Sequence, residues 1–318
     1  MSGTIKTCFL FPGQGAQEPG MARDLWEASD SVREMFTHAG RVCDRDMAGL
    51  LFEAEETELA KTDNTQIAMA LADVAAAIVC REHGIEPAGT AGFSLGEYPA
   101  LYTAGVLSAD ALFGIVKIRG ELMEQYSRAY DDNTGPAGLI AVVGLTLDET
   151  GEVFDALAEH NAYLANHSAP KQLVVAGSGA GLAEAERRFD ETGAMRIVTL
   201  KVSGPFHSPL LAEAQRDFEA ELRKFDFSDP NIPFYANVTG DLVQTGAQAR
   251  EFCGKQIVNT VQWVTTEQSI DRDGYERILE VGPGKVLSGL WRGYRKGEPA
   301  CKPAGTVEQI AALESGQK

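Results

Sequence analysis

The sequence predicts an α/β protein in which a small subdomain is inserted into a larger one. Three observations lead to this prediction: the length of the chain, a short apolar run that ends in a Pro-Gly pair, and a central βαββαβ pattern. The chain has 318 residues, which corresponds to about two domains at ~150 residues each. The segments on either side of the central pattern each look incomplete as domains, so we interpret the pattern as an insertion.

The first predicted element is a buried strand at 7–11 (TCFLF), which ends at Pro12 and Gly13. An Ala-rich helix is predicted at 65–83, where apolar residues occur on almost every face, as is typical of a helix buried on most sides. A second long helix is predicted at about 108–130, with Ser108 as its N-cap.

The central pattern lies within residues 134–203. It consists of the β-rich run GLIAVVGL, a helix, two short strands around a turn, a second helix and the strand MRIVTLKV. This order is that of a ferredoxin-like subdomain, in which two helices cover one face of a four-stranded antiparallel sheet. The predicted boundaries are 134–203 for this small subdomain, 1–133 with 204–292 for the large one, and 293–318 for a loosely attached C-terminal tail with one short helix.

Charge and composition exclude several classes of function. Lys and Arg number 28 against 46 Asp and Glu, so the formal net charge is −18, which argues against nucleic acid or an anionic membrane as a partner. The longest uncharged run, 133–147, is shorter than the ~20 apolar residues that span a bilayer, and the N-terminus lacks the apolar core of a secretory signal. Five cysteines without CxxC spacing indicate reduced thiols and no metal site. We therefore expect a cytoplasmic protein.

The segment GFSLG at 92–96 matches GxSxG, a motif that places a serine on a sharp strand-to-helix turn. In such a turn the Ser94 oxygen lies at a helix N-terminus, where free N–H groups favour a developing negative charge. The same residues also fit a Gly-rich turn with a capping serine.

A serine nucleophile needs a base, and the chain has five histidines. His207 is the strongest candidate, because it follows an apolar strand in a loop that Gly204, Pro205 and Pro209 make rigid. An ordinary solvated loop histidine is the alternative.

Six blocks of sequence together resemble one known family. In chain order they are FPGQG at 11–15, GFSLGEY at 92–98, IRGELM at 118–123, SGPFHSPLL at 203–211, NVTG at 237–240 and EVGPGKVLSGL at 280–290. The residues of these blocks, their order and the length of chain that they cover resemble those of the malonyl-CoA:acyl-carrier-protein transacylase family of fatty-acid and polyketide biosynthesis. The resemblance implies an α/β-hydrolase-like large subdomain beside the ferredoxin-like one.

The resemblance also implies roles in catalysis. Ser94 would be the nucleophile and His207 its base, with the backbone carbonyl of Gln256 orienting the imidazole. The backbone N–H groups of Gln14 and Leu95 would form the oxyanion hole.

Substrate recognition is implied for three further residues. Arg119 would receive the malonyl carboxylate on its planar guanidinium, although by itself it could equally be a surface charge or part of an ion pair. Phe206 would crowd a methyl branch on the acyl group, and Asn166 matches an asparagine near the active site of the family. Two positions depart from the family pattern: Phe93 replaces a common histidine and Ser168 a frequent asparagine, which puts polar roles there in doubt.

These assignments predict ping-pong acyl transfer without a cofactor or metal. Ser94 would take malonyl from malonyl-CoA, and the phosphopantetheine thiol of an acyl carrier protein would then take it from Ser94. A thioesterase or editing hydrolase with the same Ser-His dyad is one alternative. A non-catalytic docking subunit of a synthase is another, which the presence of Ser94, His207 and Arg119 disfavours.

A carrier protein of this kind is itself acidic, so it should dock on a local basic surface despite the overall charge. The candidates are Lys171, Arg187 and Arg188 on the small subdomain and Lys285, Arg292, Arg295 and Lys296 near the C-terminus. For any one of them, ordinary solvated charge is the alternative.

Overall fold

The computed structural model describes residues 5–315. Its strands are β1 (Thr7–Phe11), β2 (Pro87–Gly92), β3 (Gly138–Val143), β4 (Ala162–Ala169), β5 (Gln172–Gly177), β6 (Arg196–Thr199), β7 (Phe234–Tyr235), β8 (Arg277–Glu280) and β9 (Cys301–Pro303). Its helices are α1 (Arg23–Ala28), α2 (Asp30–Cys43), α3 (Met47–Phe52), α4 (Glu56–Leu59), α5 (Thr62–Glu82), α6 (Glu97–Thr103), α7 (Ala109–Ser127), α8 (Leu147–Leu157), α9 (Gly179–Thr192), α10 (Ala212–Leu222), α11 (Gly246–Gln256), α12 (Trp263–Arg272), α13 (Val286–Tyr294) and α14 (Val307–Ser315).

The large subdomain is built on a parallel sheet with the strand order β7-β2-β1-β8-β9. Apolar side chains cover both faces of β1, because Phe9 and Phe11 belong to one buried cluster while Cys8 and Leu10 belong to another. The α/β fold class predicted from the sequence is confirmed. In open parallel sheets ligands bind at the carboxyl ends of the strands, and here β1 leads into the loop at 12–15 and β2 into the turn at 92–96.

Helix α5 packs at the centre of the larger core, as its apolar character on most faces predicted. By length and composition it could cross a bilayer, but 89% of its most apolar window is buried inside the protein. Several polar side chains are nevertheless fully buried within it, among them Gln66 and Asp73. Helix α7 begins as predicted, with the Ser108 side chain accepting the N–H of Ala111.

The small subdomain is an antiparallel sheet with the strand order β4-β5-β3-β6. Helices α8 and α9 pack on one face of it through an apolar cluster that includes Leu157 and Phe189. The observed order β3-α8-β4-β5-α9-β6 confirms the predicted ferredoxin-like topology. Strand β4 also contacts the large subdomain, because Val261 donates to the Ala165 carbonyl (2.9 Å) and accepts from the His167 N–H (3.0 Å).

The C-terminal segment differs from the loosely attached tail that the sequence predicted. β9 adds to the main sheet in parallel with β8, and α14 contacts α1 and α5. Ile310 of α14 is fully buried in the main core. A strand of three residues is too short to show a period, so the polar and Gly-Pro composition of the connection around it dominated the prediction.

Candidate active site

Ser94 lies on a tight turn directly after β2, and its φ of 51° is in the left-handed region that non-glycine residues rarely adopt. The two glycines of the motif make this turn possible. A Cβ on Gly92 would lie 1.9 Å from the carbonyl oxygen of Gly96, and one on Gly96 would lie 2.1 Å from that of Phe11. Close packing therefore requires both glycines of the GxSxG motif here.

His207 meets the serine from the other side of the site. Its Nε2 is 2.7 Å from Ser94 Oγ and its Nδ1 is 2.8 Å from the backbone carbonyl of Gln256. Because a carbonyl can only accept, Nδ1 carries the proton and Nε2 is left to accept from Ser94. Burial, followed by repulsion from Arg119, lowers the pKa of His207 to about 4, so the imidazole is neutral near pH 7.

Arg119 is fully buried in α7 and points at the same serine. Its guanidinium donates to Gln66 Oε1 (2.8 Å), Gln256 Oε1 (3.0 Å) and Ser94 Oγ (3.4 Å), and it lies over the Tyr98 ring at 5.4 Å. Within residues 5–315 no carboxylate is within ion-pair distance of it. The alternatives of a surface charge or an ion pair do not apply, because the side chain is buried and its hydrogen-bond partners are amides and a hydroxyl.

The loop after β1 packs directly on the serine turn. A Cβ on Gly13 would lie 2.5 Å from the Phe93 carbonyl oxygen and 3.7 Å from the Leu95 nitrogen. In the part of the chain that the structure describes, neither the N–H of Leu95 nor that of Gln14 has an acceptor. Two backbone donors are therefore unused close to the nucleophile turn.

Four other positions singled out in the sequence are also located. Phe206 is buried in the main core directly before His207, and Asn166 is buried on β4, its Oδ1 without a partner among the described residues. Ser168 is buried. Phe93 packs against Trp263 with ring centroids 5.2 Å apart, so the position before the nucleophile supplies an aromatic contact.

Sequence reasoning missed three polar residues of the site. Asn237 Oδ1 accepts the N–H of Ser94 (2.6 Å), and Glu97 accepts the backbone N–H of Asn237 (2.6 Å); burial raises the pKa of Glu97 to about 7. Gln66, on α5, accepts a hydrogen bond from Arg119. Gln66 could have been noticed as a polar residue in an otherwise apolar helix. Asn237 and Glu97 lie within two of the six blocks that resemble the family, but nothing in the residues around them indicates a contact with Ser94.

The family model for the acyl transferase domain matches residues 8–311. The chain belongs to the acyl transferase family. Curated relatives are named malonyl CoA-acyl carrier protein transacylase. The one from Staphylococcus aureus (strain MSSA476) is 36% identical over 287 residues, with 90% of this chain and 91% of the relative covered. The one from Bacillus subtilis (strain 168) is 35% identical over 288 residues, with 90% and 89% covered.

Solved structures of acyl transferases have the same fold. The crystal structure of MCAT from Streptococcus pneumoniae has a TM-score of 0.91 at 31% identity and covers 98% of this chain and 100% of that one. A malonyl-transacylase in complex with its type II PKS acyl-carrier protein has a TM-score of 0.89 at 31% identity, with 98% and 99% covered.

In this acyl transferase the polar site groups come from both halves of the large subdomain. The large subdomain brings Ser94 and Arg119 from before the insertion next to His207 and Gln256 from after it. Across residues 5–315 no group of three His, Cys, Asp or Glu side chains is arranged to hold a metal ion.

Proposed function

We propose that this acyl transferase moves the malonyl group from malonyl-CoA to the phosphopantetheine thiol of an acyl carrier protein through an acyl-enzyme on Ser94. The observation that carries the proposal is the buried Arg119 guanidinium, 3.4 Å from Ser94 Oγ and without a carboxylate partner among the described residues. A buried cation is costly unless an anion meets it, and the malonyl carboxylate would supply that anion. The printed names of the relatives and the carrier-bound neighbour support the same substrates.

The first half-reaction begins when Ser94 Oγ attacks the thioester carbonyl carbon and His207 Nε2 takes the hydroxyl proton. The carbonyl oxygen becomes an oxyanion, which the N–H groups of Leu95 and Gln14 stabilise. The C–S bond then breaks, and the coenzyme A sulfur leaves with the proton from His207. The Gln256 carbonyl holds the imidazole in the required tautomer, although it stabilises imidazolium less than a carboxylate would.

The second half-reaction runs the same steps with a different thiol. The carrier thiol gives its proton to His207 Nε2 and attacks the Ser94 ester, and the released Ser94 oxygen takes the proton back. The Arg119 ion pair holds the malonyl carboxylate through both halves.

The remaining assignments belong to the same proposal. Phe206 limits branching next to the acyl carbonyl, and Asn166 Oδ1, which has no partner among residues 5–315, would accept a hydrogen bond from the substrate. The steps above use only side chains, backbone and the two thiols, so the reaction needs no bound cofactor. Five free, buried cysteines support a cytoplasmic location.

The test is to add malonyl-CoA to the purified chain without a carrier and to follow the intact mass, with peptide mapping of the modified residue. We expect malonyl on Ser94 before any carrier is present, and none on the Ser94→Ala variant. Adding a carrier protein that bears phosphopantetheine should then move malonyl to the carrier, while the same carrier without phosphopantetheine should not accept it.

The alternatives give different outcomes in this experiment. A hydrolase would release malonate to water at the same rate with and without the carrier. A docking subunit would carry no acyl group on Ser94 at all. Modification of a residue other than Ser94 would contradict the proposed mechanism.

A further inference from the structure

Asn237 lies in the loop after β7 and is completely buried. It is 143 residues from Ser94 in sequence, yet its side chain contacts the nucleophile turn at two points. Its Oδ1 accepts the backbone N–H of Ser94 (2.6 Å), and its Nδ2 donates to the backbone carbonyl of Gly92 (2.6 Å). One amide therefore bridges the start of the turn, at Gly92, and the nucleophile Ser94 itself.

The turn needs such a bridge for two reasons. Ser94 is held at φ 51°, and a residue in this region persists only where its surroundings enforce the conformation. The Ser94 N–H would also be left without its acceptor, which is unfavourable for a donor that is partly shielded from water.

Asn237 is itself fixed through its backbone. Its N–H donates to the buried carboxyl of Glu97 (2.6 Å), and its carbonyl accepts the N–H of Gln262 (2.8 Å). Glu97 is the first residue of α6, so the bridge is anchored to the helix that follows the nucleophile.

The same amide also reaches the residue that orients the base. Gln256 Nε2 donates to the Ser94 carbonyl (3.0 Å) and lies 3.4 Å from Asn237 Oδ1, while the Gln256 backbone carbonyl holds His207. Movement of Asn237 would therefore change the position of Ser94 relative to both His207 and Arg119.

We propose that Asn237 is a positioning residue that holds the nucleophile turn in its left-handed conformation and in register with His207, without touching the substrate. The inference rests on the proposed function only in that Ser94 is taken as the nucleophile. An acceptor and a donor are both needed, on one short planar side chain, which is the chemistry of asparagine. Aspartate would keep the acceptor for Ser94 but lose the donor to Gly92 and place a second oxygen against that carbonyl.

The test compares Asn237→Asp with the wild-type chain by two reactions of Ser94. The first is single-turnover acylation by malonyl-CoA. The second is labelling by an alkyl fluorophosphonate, in which Ser94 Oγ bonds to phosphorus and fluoride leaves while His207 takes the proton. We expect both rate constants to fall by roughly 10²-fold, the scale of a misplaced reacting group, with KM for malonyl-CoA changed less than about twofold because uniform binding is retained.

Asn64→Asp is the matched control, because Asn64 is also a buried asparagine but donates to Glu58 away from the serine. It should lower the melting temperature without slowing the labelling of Ser94. A purely structural role for Asn237 would instead give equal melting-temperature losses and unchanged labelling in both variants, and that result overturns the proposal.

A second pair of variants covers the case in which Asn237→Asp does not fold. Glu97→Ala removes the acceptor for the Asn237 N–H, whereas Glu97→Gln keeps an oxygen there, so labelling should slow in the first and recover in the second. Equal labelling in the two Glu97 variants would count against the proposal. If fluorophosphonate labels Ser94 but malonyl-CoA does not acylate it, the proposed function fails while the positioning role is still measured.

Discussion

The partners of Arg119 fix the direction of its charge without neutralising it. Gln66 and Gln256 accept through neutral amide oxygens, whereas a carboxylate at either place would form an internal ion pair and compete with an anionic substrate. This arrangement also affects the neighbouring base, His207, because the positive charge of Arg119 contributes to its low pKa. A bound malonyl carboxylate would relieve both effects at once.

Replacing Arg119 by Ala should lower kcat/KM steeply for malonyl-CoA and much less for acetyl-CoA. The change removes a charge-assisted pair, and truncation of one partner in such pairs costs roughly 2–5 kcal/mol, but only the malonyl group has a carboxylate to lose. Arg119→Lys should restore part of the malonyl activity, since an ammonium offers one point charge in place of a fork. The measurement is steady-state kcat/KM for both esters. Equal losses of kcat/KM would mean that Arg119 stabilises the fold or binds the coenzyme A part of the substrate.

The pH dependence of Ser94 reactivity should reflect the lowered pKa of His207. Since the imidazole pKa is about 4 and not 6.5, the neutral base is present above about pH 5, and fluorophosphonate labelling should decline only as the pH falls toward 4. Arg119→Ala removes a repelling cation, which raises the pKa of His207 and moves the acid limb to higher pH.

The labelling rate is to be measured from pH 4 to 8 on both proteins. Glu97→Gln serves as the control, because the pKa of Glu97, raised to about 7 by burial, lies in the same range. If the wild-type labelling rate falls near pH 6.5, and the same fall is seen in Glu97→Gln, the pKa of the His207 imidazole is not lowered.

At the scale of elements, α14 shows how a polar C-terminal segment becomes part of the core. It packs on α1 and α5, and its N-terminal residue Val307 donates its N–H to Asp24 of α1 (2.8 Å). The fully buried Ile310 is its main apolar anchor among the residues described.

Ile310→Ala should therefore lower the free energy of unfolding by roughly 2–5 kcal/mol, the usual cost of truncating a buried Ile. Glu308→Gln, at an exposed position of the same helix, should change it by less than about 0.5 kcal/mol. Urea denaturation followed by circular dichroism measures both. A loosely attached tail would give the same small effect for the two variants.

At the scale of the whole molecule, α13 contacts both subdomains, since it packs on β8 of the large one and β4 of the small one. Gly284 before it packs on the loop after β1, where a Cβ would lie 3.1 Å from that of Ala16, and Gly293 near its end packs on Ala169 of β4. Lys285 and Arg292 are exposed on its outer side, seven residues apart and hence on one face. By contrast, Arg187 on α9 is paired with Glu184 and Glu191.

Reversing the charge of this α13 face should slow transfer to an acidic carrier more than acylation by malonyl-CoA. Lys285→Glu and Arg292→Glu are expected to lower the second half-reaction most at low ionic strength, because salt screens exposed charges. Arg187→Glu is the control, because it makes the same change of charge as Arg292→Glu but on α9 instead of α13. The two half-reactions are to be timed separately by rapid quench at low and high salt; if both respond alike in all variants, α13 is not the docking face.

Those parts of the protein whose signals are local can be predicted from the sequence alone. The βαββαβ order, the buried character of α5 and the Ser108 cap follow from periodicity and from single side chains next to their own backbone. GxSxG also identified the nucleophile turn, since its two glycines are required by contacts of that turn. The loop context of His207 indicated the base, and the resemblance to a family of known proteins supplied the other predicted site residues.

Features that are stabilised by distant segments of the chain could not be predicted in this way. β9 is a strand because β8 provides its hydrogen-bond partners, and no pattern within three residues encodes that. The burial of Arg119 depends on α5 and α11 closing over α7, which turns a residue with a plausible surface role into a buried, unpaired cation. Asn237 acquires its contacts with Ser94 across 143 residues of chain, because one amide there satisfies two backbone groups that the strained turn cannot pair by itself.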